Sequence, residues 1–321
     1  MEQNQHEHKK HGCFGSETPS VETEVLECGG GRAILTHYAV FPGITLTYRD
    51  VHLQEYTAAP EAGNIIAIDH CREGRMECAS QERFFYLAPG DLSISRREGG
   101  DRTFFPLSHY HGVTITIDVD KAPNCLSCLL QDVNVRPTLL AKKFCGDTGY
   151  FILRAKPFLA HIFSEMYSVP ERIRMGYLKV KILELLLFLS DLDPKEAEQN
   201  RSYTPAQVQL AKAASRYVID HAEERITIEQ LADRFAVSPT KLKASFKGVY
   251  GQPFYAYVRS QKMHAAGLML RSTDCSILEV AGRYGYDNGS KFAKAFQEAV
   301  GMTPSQYRSA TEQQLRELIE Q

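Results

Sequence analysis

The fold of the C-terminal third is decided by Gly285-Tyr-Asp-Asn-Gly-Ser-Lys-Phe-Ala-Lys-Ala-Phe-Gln-Glu-Ala-Val-Gly-Met-Thr-Pro-Ser-Gln-Tyr-Arg308. A glycine turn leads into a helix start at Asn288, and an amphipathic helix follows. Gly301 ends that helix, and Pro304 prevents its continuation. The stretch therefore predicts the second helix of a helix-turn-helix motif.

The same pattern occurs earlier in the chain. Four positions of the first copy have similar residues 49 positions later. The pairs are Ile228 and Ile277, Leu231 and Val280, Ala232 and Ala281, and Phe235 and Tyr284. Beyond the turn the offset is 50, and it pairs Leu242 with Phe292, Phe246 with Phe296 and Gly251 with Gly301. Two copies of helix, turn and helix are predicted, with one extra residue in the second turn.

Each copy places small, amide or cationic side chains on the outward face of its second helix. In the first copy, Ser238 is predicted to be the N-cap and Pro239 the first helical residue. A helical wheel predicts the following residues to face DNA bases: Thr240, Lys243, Ala244, Ser290, Lys294 and Gln297. Such faces suit a helix in a major groove, where Lys donates to guanine and small side chains approach thymine methyls.

A long helix is predicted between the two copies. It begins at Pro253 and continues to Arg271, and these 19 residues at 1.5 Å each give a length of about 28 Å. This is close to one turn of B-DNA, roughly 34 Å, so the two outward helices could enter successive major grooves. Five cations are predicted to contact phosphates: Lys247, Arg259, Lys262, Arg283 and Lys291. A charged helical face is often only solvated, but the duplication favours DNA binding.

Composition sets broader limits. The 321 residues allow two domains, and 43% hydrophobic and 24% charged residues are ordinary for a soluble globular protein. The net charge is −2, but residues 205–308 hold 14 Lys and Arg against 9 Asp and Glu. A DNA-binding surface is therefore expected in that segment. Without an apolar signal segment or a long apolar run, we expect a cytoplasmic protein without membrane contact.

Metal-ligand residues occur in two further places, neither of which forms a complete motif. Residues 1–20 are predicted to be a disordered arm, and they contain His6, His8, His11 and Cys13. Cys125 and Cys128 have the spacing of half a zinc site, but no second pair follows. A solvated tail and reduced thiols are favoured, so no metal and no cofactor are expected.

Residues 21–120 show short apolar runs that turn residues interrupt. Ile44–Tyr48 and Phe84–Leu87 are two such runs. This spacing predicts a small antiparallel barrel or sandwich. The segment Ile68–Cys78 is predicted to be a hairpin that turns at Glu73-Gly74.

Two histidines precede the strand predicted at Val113–Ile117. His109 and His111 share the parity of Val113, so both imidazoles are expected to point into the barrel. Hydrogen-bonded core or rim histidines are the simpler interpretation; the alternative is an effector pocket, with donors to an anion or ligands to a metal. A cupin-type metal centre would need another His and a carboxylate at set spacing, and the turn after Gly90 supplies no His.

Residues 121–193 are predicted to be a helical packing or dimerisation segment. Within it, Tyr177–Leu189 has more apolar surface than one helical stripe requires, so it packs on the barrel on two sides or forms a homodimer interface. The polar residues 194–204 are predicted to be a domain linker, and residues 309–321 a helical tail. The fold class is thus multidomain α+β, with an all-α second domain.

Residues 205–308 resemble the DNA-binding domain of the AraC/XylS family. The resemblance rests on Glu229-Gln-Leu-Ala-Asp-Arg-Phe-Ala-Val-Ser-Pro-x-x-Leu-x-x-x-Phe-Lys247, on Gly251 and on the opening stretch. It implies promoter binding, activation through RNA polymerase, a cupin-like sensor barrel upstream and a dimerisation helix near Tyr177–Leu189. Ala244 and Gly289 stand where many relatives have a larger polar residue, so the bases that they read are not carried over.

Two classes of function remain at this point. The first is an effector-responsive transcription activator, with double-stranded DNA, RNA polymerase, a small-molecule effector and a second copy of the chain as partners. The second is an enzyme with an AraC-type module: a cupin catalyst or an alkyl-transferring DNA-repair protein. Repair by a thiolate needs an activated Cys, and none of the eight cysteines lies in such a motif. A regulator that is not an enzyme is therefore favoured.

Overall fold

The computed structural model describes residues 21–28, 31–57, 63–80, 82–97, 102–123, 126, 136–146, 149–196 and 201–311. The predicted arm at 1–20, the Cys125 and Cys128 pair, and residues 312–321 of the predicted tail lie outside these ranges.

The N-terminal half is built from eleven antiparallel strands within the described ranges. They are β1 (Val21–Cys28), β2 (Gly31–Phe41), β3 (Ile44–His52), β4 (Glu55–Thr57), β5 (Ile65–Gly74), β6 (Met76–Ser80), β7 (Arg83–Leu87), β8 (Leu92–Arg97), β9 (Arg102–Phe104), β10 (Tyr110–Asp118) and β11 (Tyr150–Leu153). Seven form one sheet in the order β1-β2-β3-β10-β5-β8-β11, and two pairs, β4-β9 and β6-β7, form small sheets. The predicted antiparallel sheet domain is confirmed, whereas its closure into a cupin-like barrel stays a prediction.

The hairpin predicted at Ile68–Cys78 is wrong. Gly74 has a φ of +80° and ends β5, but β6 pairs with β7 instead of returning along β5. A Cβ at position 74 would lie 2.0 Å from the carbonyl oxygen of His109, so only glycine fits here. The chain therefore leaves the large sheet at this point and crosses to a small one.

The large sheet buries its two faces against different partners. One face carries Val113, Ile115 and Ile117, which pack against the helices α1 (Pro157–Met166) and α2 (Arg174–Asp191). The other face carries Val51 and neighbouring apolar residues, which pack with the small sheets. The apolar side of β10 therefore faces helices instead of a barrel interior.

The C-terminal half is helical, as predicted. It contains α3 (Pro205–Asp220), α4 (Ile228–Arg234), α5 (Pro239–Tyr250), α6 (Phe254–Ser272), α7 (Ile277–Arg283), α8 (Gly289–Val300) and α9 (Pro304–Ser309). The pairs α4-α5 and α7-α8 are the two helix-turn-helix units, and α6 has the 19 residues expected for the connecting helix.

Both turns use the same backbone conformation at equivalent positions. Ala236 has a φ of +53° and Gly285, 49 residues later, a φ of +84°. In both turns the next amide donates to a helix carbonyl: Val237 to Ala232 at 3.0 Å and Tyr286 to Ala281 at 2.9 Å. The repeat thus extends through the turn, and the extra residue of the second copy follows it.

Two hydrophobic cores support the two units, and α6 contributes to both. Phe254, Tyr257 and Val258 of α6 belong to the first core, which also contains Leu242 and Phe246. Met263, Ala266 and Leu270, further along α6, belong to the second core together with Phe292 and Phe296. The helix is therefore a structural member of each unit, and not a tether between them.

The N-terminal domain docks on the first helix-turn-helix unit. Phe84 of β7 and Tyr203, just before α3, exchange two backbone hydrogen bonds of 2.9 and 2.8 Å. Lys212 of α3 forms an ion pair with Glu77 of β6 at 2.8 Å. The Tyr86 side chain, 1% exposed, lies in the core of the first unit. The small β6-β7 sheet therefore holds the two domains together.

None of the helices in the described ranges is long and apolar enough to cross a membrane.

Candidate nucleic-acid interface

The second helix of each helix-turn-helix unit is here termed its recognition helix. That of the first unit, α5, is anchored at both ends by local hydrogen bonds. The Ser238 side chain accepts from the amide of Lys241, and Pro239 is the first helical residue. At the other end Gly251, with a φ of +75°, donates its amide to the carbonyl of Lys247 at 2.9 Å. Leu242 and Phe246 are fully buried. This fixes the rotation of the helix and leaves the following side chains exposed: Thr240, Lys243, Ala244 and Lys247.

The second recognition helix, α8, is built in the same way. The Asn288 side chain accepts from the amides of Ser290 and Lys291, at 2.8 and 3.2 Å. Phe292 and Phe296 are 0% exposed. The residues on the opposite face are exposed: Ser290, Lys291, Lys294 and Gln297. All six residues predicted to face bases are thus exposed on α5 or α8, as their proposed role requires.

The five residues predicted to contact phosphates differ in their surroundings. Lys247 and Lys291 are exposed on the recognition helices. Arg283 forms an ion pair with Glu223 at 2.8 Å, and Arg259 forms one with Glu298. Exposed ion pairs are weak, so a phosphate can replace either carboxylate.

Lys262 is the most enclosed of these five cations. It is half-buried on α6, where its Nζ donates to the carbonyl of Tyr284 at 3.4 Å. Burial lowers the pKa of Lys262. Its ammonium lies at the turn of the second unit, because a Cβ on Gly285 would be 4.0 Å from Nζ. Lys262 thus stabilises this turn through its hydrogen bond to Tyr284, and its contact with phosphate stays a prediction.

Docking of the N-terminal domain leaves the exposed faces of α5 and α8 open. Its contacts on α5 are at the C-terminal end, where Arg75 Nη2 donates to the carbonyl of Gly248 at 2.7 Å and Nε to that of Val249 at 2.8 Å. Gly248 is buried against Tyr203. The docked arrangement is therefore compatible with DNA binding by α5.

Comparison with known proteins identifies this architecture. A family model described as a helix-turn-helix domain matches residues 231–310. The arabinose operon regulatory protein of Escherichia coli K12 is 26% identical over 251 residues, which cover 74% of this chain and 78% of that protein. The helix-turn-helix domain of this chain is of the AraC type.

Other relatives match shorter parts of this chain. The xylose operon regulatory protein of E. coli K12 is 29% identical over 42% of this chain and 37% of its own length. The Bacillus subtilis regulator YtdP, named as an uncharacterized HTH-type transcriptional regulator, is 26% identical over 64% of this chain and 28% of its own length. The chain therefore spans well under half the length of these two proteins.

The solved structures that it resembles include the C-terminal domain of AraT, a response regulator from Geobacillus stearothermophilus. That domain is 33% identical, and the match covers 32% of this chain and 88% of that domain, with a TM-score of 0.30.

The sheet domain holds a histidine cluster that the sequence revealed only in part. His109 and His111 come together with His52, the last residue of β3, and one ring nitrogen from each lies within 4.8 Å of the others. Asp50 joins them, because β10 pairs with β3 in a register that places His111 opposite Asp50. The direction expected for the imidazoles is wrong, since the side of β10 that carries His111 faces the helices.

Sequence alternation missed His52 and Asp50 because their contact with β10 depends on strand register. The available signal was an Asp-x-His pattern at the end of one strand and a His-x-His pattern at the start of another. In an antiparallel pair the end of one strand meets the start of the other.

The electrostatics of the histidine cluster favour a charged Asp50 carboxylate and a neutral His109 imidazole. Contacts with His111 and His52 hold the pKa of the Asp50 carboxyl well below its usual range. Burial lowers the pKa of His109, and the neighbouring His111 and His52 lower it further.

A cavity of about 460 Å³ lies between the two domains, and no sequence pattern indicates it. The N-terminal domain contributes Glu77, Arg102 and Phe104 to its wall, and α3 contributes Lys212 and Arg216. The Lys212 ammonium lies 3.6 Å from the centre of the Phe104 ring. Half of the residues in the wall are charged, and they include the ion pair that joins the domains.

Proposed function

We propose that this chain is a sequence-specific DNA-binding transcription regulator that responds to an effector. The observation that carries the proposal is the pair of recognition helices, α5 and α8, which are fixed to one connecting helix with their polar faces exposed. An enzymatic role has no comparable support, because the relatives described above are named as regulators.

In this proposal the six base-facing residues read two successive major grooves, and the five cations contact the backbone. The segment that holds them has a positive net charge, although the chain as a whole is slightly acidic. Activation through RNA polymerase and a location in the cytoplasm are part of the same proposal. Either the histidine cluster or the cavity between the domains offers a place for the effector.

Replacing Lys294 by alanine tests this proposal directly. If Lys294 reads a base, specific operator affinity should fall by about 1–3 kcal/mol; if it contacts a phosphate, all DNA binding should weaken and the salt slope should fall by about one. Fluorescence anisotropy on a selected operator and on random DNA, at several salt concentrations, separates the two roles. Lys195→Ala removes the same charge from an exposed site outside the recognition helices and should bind as the wild type does. Unchanged binding by Lys294→Ala would remove this residue from the interface.

We also propose that α2 forms a homodimer interface. Its inner face is buried in the N-terminal domain, yet Val180 and Leu187, seven residues apart, are 59% and 39% exposed. Residues at this spacing lie on one side of a helix. A second copy of the chain would cover this apolar stripe.

The substitution of both Val180 and Leu187 by glutamate should convert the dimer to a monomer, because an interface would have to bury two unpaired carboxylates. Light scattering at micromolar concentrations gives the mass. Leu268→Glu changes a leucine that is 71% exposed on α6 and should leave the dimer intact. A wild-type protein that stays monomeric at every concentration would refute the interface.

A further inference from the structure

We propose that His52, His109 and His111, together with Asp50, bind one divalent transition-metal ion. The second part of the proposal rests on the proposed DNA-binding function. It is that binding of this ion acts on α5 through the chain segment that follows β5.

The ligand atoms already converge on one point. The Nε2 atoms of His52 and His111 are 3.4 Å apart, and the rings of His109 and His111 have their centres 4.7 Å apart. Two nitrogens that each bind a tetrahedral zinc ion at 2.0–2.1 Å are separated by about 3.3 Å. The two imidazoles thus have the spacing that a shared ion requires, with His109 beside them.

Asp50 provides the fourth ligand. Its Oδ1 lies 2.8 Å from Nε2 of His52 and 3.1 Å from Nε2 of His111. The same oxygen is buried and has no well-aligned hydrogen bond. One oxygen that faces two imidazole nitrogens without such a bond is better satisfied by a cation between them than by either ring.

The ligand set indicates the chemical class of the ion. Three imidazoles and one carboxylate suit zinc, iron, nickel or copper, whereas calcium and magnesium prefer sites made of oxygen. The side chains of His52 and His111 are 18% and 16% exposed, so the site is enclosed but accessible. Glu73 Oε2 lies 3.7 Å from His109 Nε2 and can orient that ring from outside the ligand set.

The site is next to the contact between the domains. His109 is packed against Gly74, where a Cβ would meet its carbonyl oxygen at 2.0 Å. The residue after Gly74 is Arg75, whose guanidinium donates to the last carbonyls of α5. Because there is no room between His109 and Gly74, a shift of His109 on metal binding moves the backbone that carries Arg75.

Zinc calorimetry on the full-length chain tests the site. The arm contains four other potential ligands, so the background variant replaces His6, His8, His11 and Cys13 by serine. We expect this background protein to bind one equivalent of Zn²⁺. The variant His52→Ala/His111→Ala should bind no Zn²⁺, or bind it at least about 100-fold more weakly. Asp50→Asn, which conserves shape, should weaken binding roughly tenfold. His161→Ala, on the exposed side of α1, should bind as the background does.

Cobalt provides a measurement that does not depend on variant folding. Co²⁺ added to the background protein should give the intense visible absorption of a tetrahedral centre. A background that binds no zinc, or a double variant that binds zinc as tightly as the background, would overturn the proposed site.

The signal is tested by DNA affinity measured with and without Zn²⁺. We expect at least a tenfold change in the dissociation constant for a selected operator in the background protein, and none in His52→Ala/His111→Ala. If zinc binds but DNA affinity does not change, the signalling part is refuted and the site stands. If zinc binds but the protein binds no DNA specifically, with or without Zn²⁺, the proposed DNA-binding function is refuted and the metal site stands.

Discussion

Replacing Phe296 by alanine is expected to lower the free energy of unfolding of the second helix-turn-helix unit by about 3–5 kcal/mol. Phe296 is 0% exposed and lies where three helices meet. Its ring centre is 5.7 Å from that of Phe292 on α8 and 5.4 Å from that of Tyr307 on α9. It also packs on Gly267 of α6, where a larger residue would approach the ring. The cavity left by alanine would therefore affect all three helices.

Denaturant unfolding followed by circular dichroism measures this effect. Leu268→Ala is a matched control, since this leucine belongs to the same unit but is 71% exposed, and it should change stability by less than about 1 kcal/mol. Specific DNA binding should be lost in parallel, because α8 depends on Phe296 for its orientation. A loss of stability below 1 kcal/mol for Phe296→Ala would mean that this core is not closed as described.

Replacing Arg75 by alanine is expected to weaken the docking of the two domains by about 2–4 kcal/mol. Its guanidinium donates two hydrogen bonds to carbonyls at the end of α5, where helix carbonyls lack partners of their own. A cation at this end also complements the helix dipole. The guanidinium is 5.2 Å from the centre of the Tyr86 ring, which is itself buried in the first unit. Arg75 thus combines three favourable contacts at one point.

In Arg75→Ala the two domains are expected to unfold in two distinct transitions, which calorimetry can resolve. Arg72→Ala removes an exposed arginine three residues earlier and should leave the unfolding profile of the wild type. Arg75→Lys keeps the charge but not the two-pronged geometry, so it should recover part of the coupling. A wild-type profile for Arg75→Ala would show that the β6-β7 sheet alone holds the domains together.

The C-terminal domain could be predicted from sequence because its signals are local. Caps such as Ser238 and Asn288, the glycines that end the helices and the apolar spacing all act within one or two turns. The duplication then confirmed each copy by the other. The alanine at position 236 shows the limit of this method: its left-handed backbone became apparent only in the structure.

The N-terminal domain and its candidate sites were less predictable because they depend on contacts between distant residues. Alternation indicates which residues share one side of β10, but not what covers that side. Asp50 and His111 meet through a strand pairing of residues 61 positions apart, and Arg75 meets α5 across more than 170 positions. No local pattern encodes such pairings, so His52 and the domain contact were found only in the structure.

The sharing of α6 by two cores has a consequence for the DNA. Because one helix is part of both cores, the separation of α5 and α8 is a fixed property of the protein. Successive major grooves of straight DNA are roughly 34 Å apart, so any mismatch with that fixed separation has to be taken up by the duplex. We therefore expect bound DNA to bend where the two separations differ. Operators with easily deformed steps at their centre should be preferred at positions that no side chain touches.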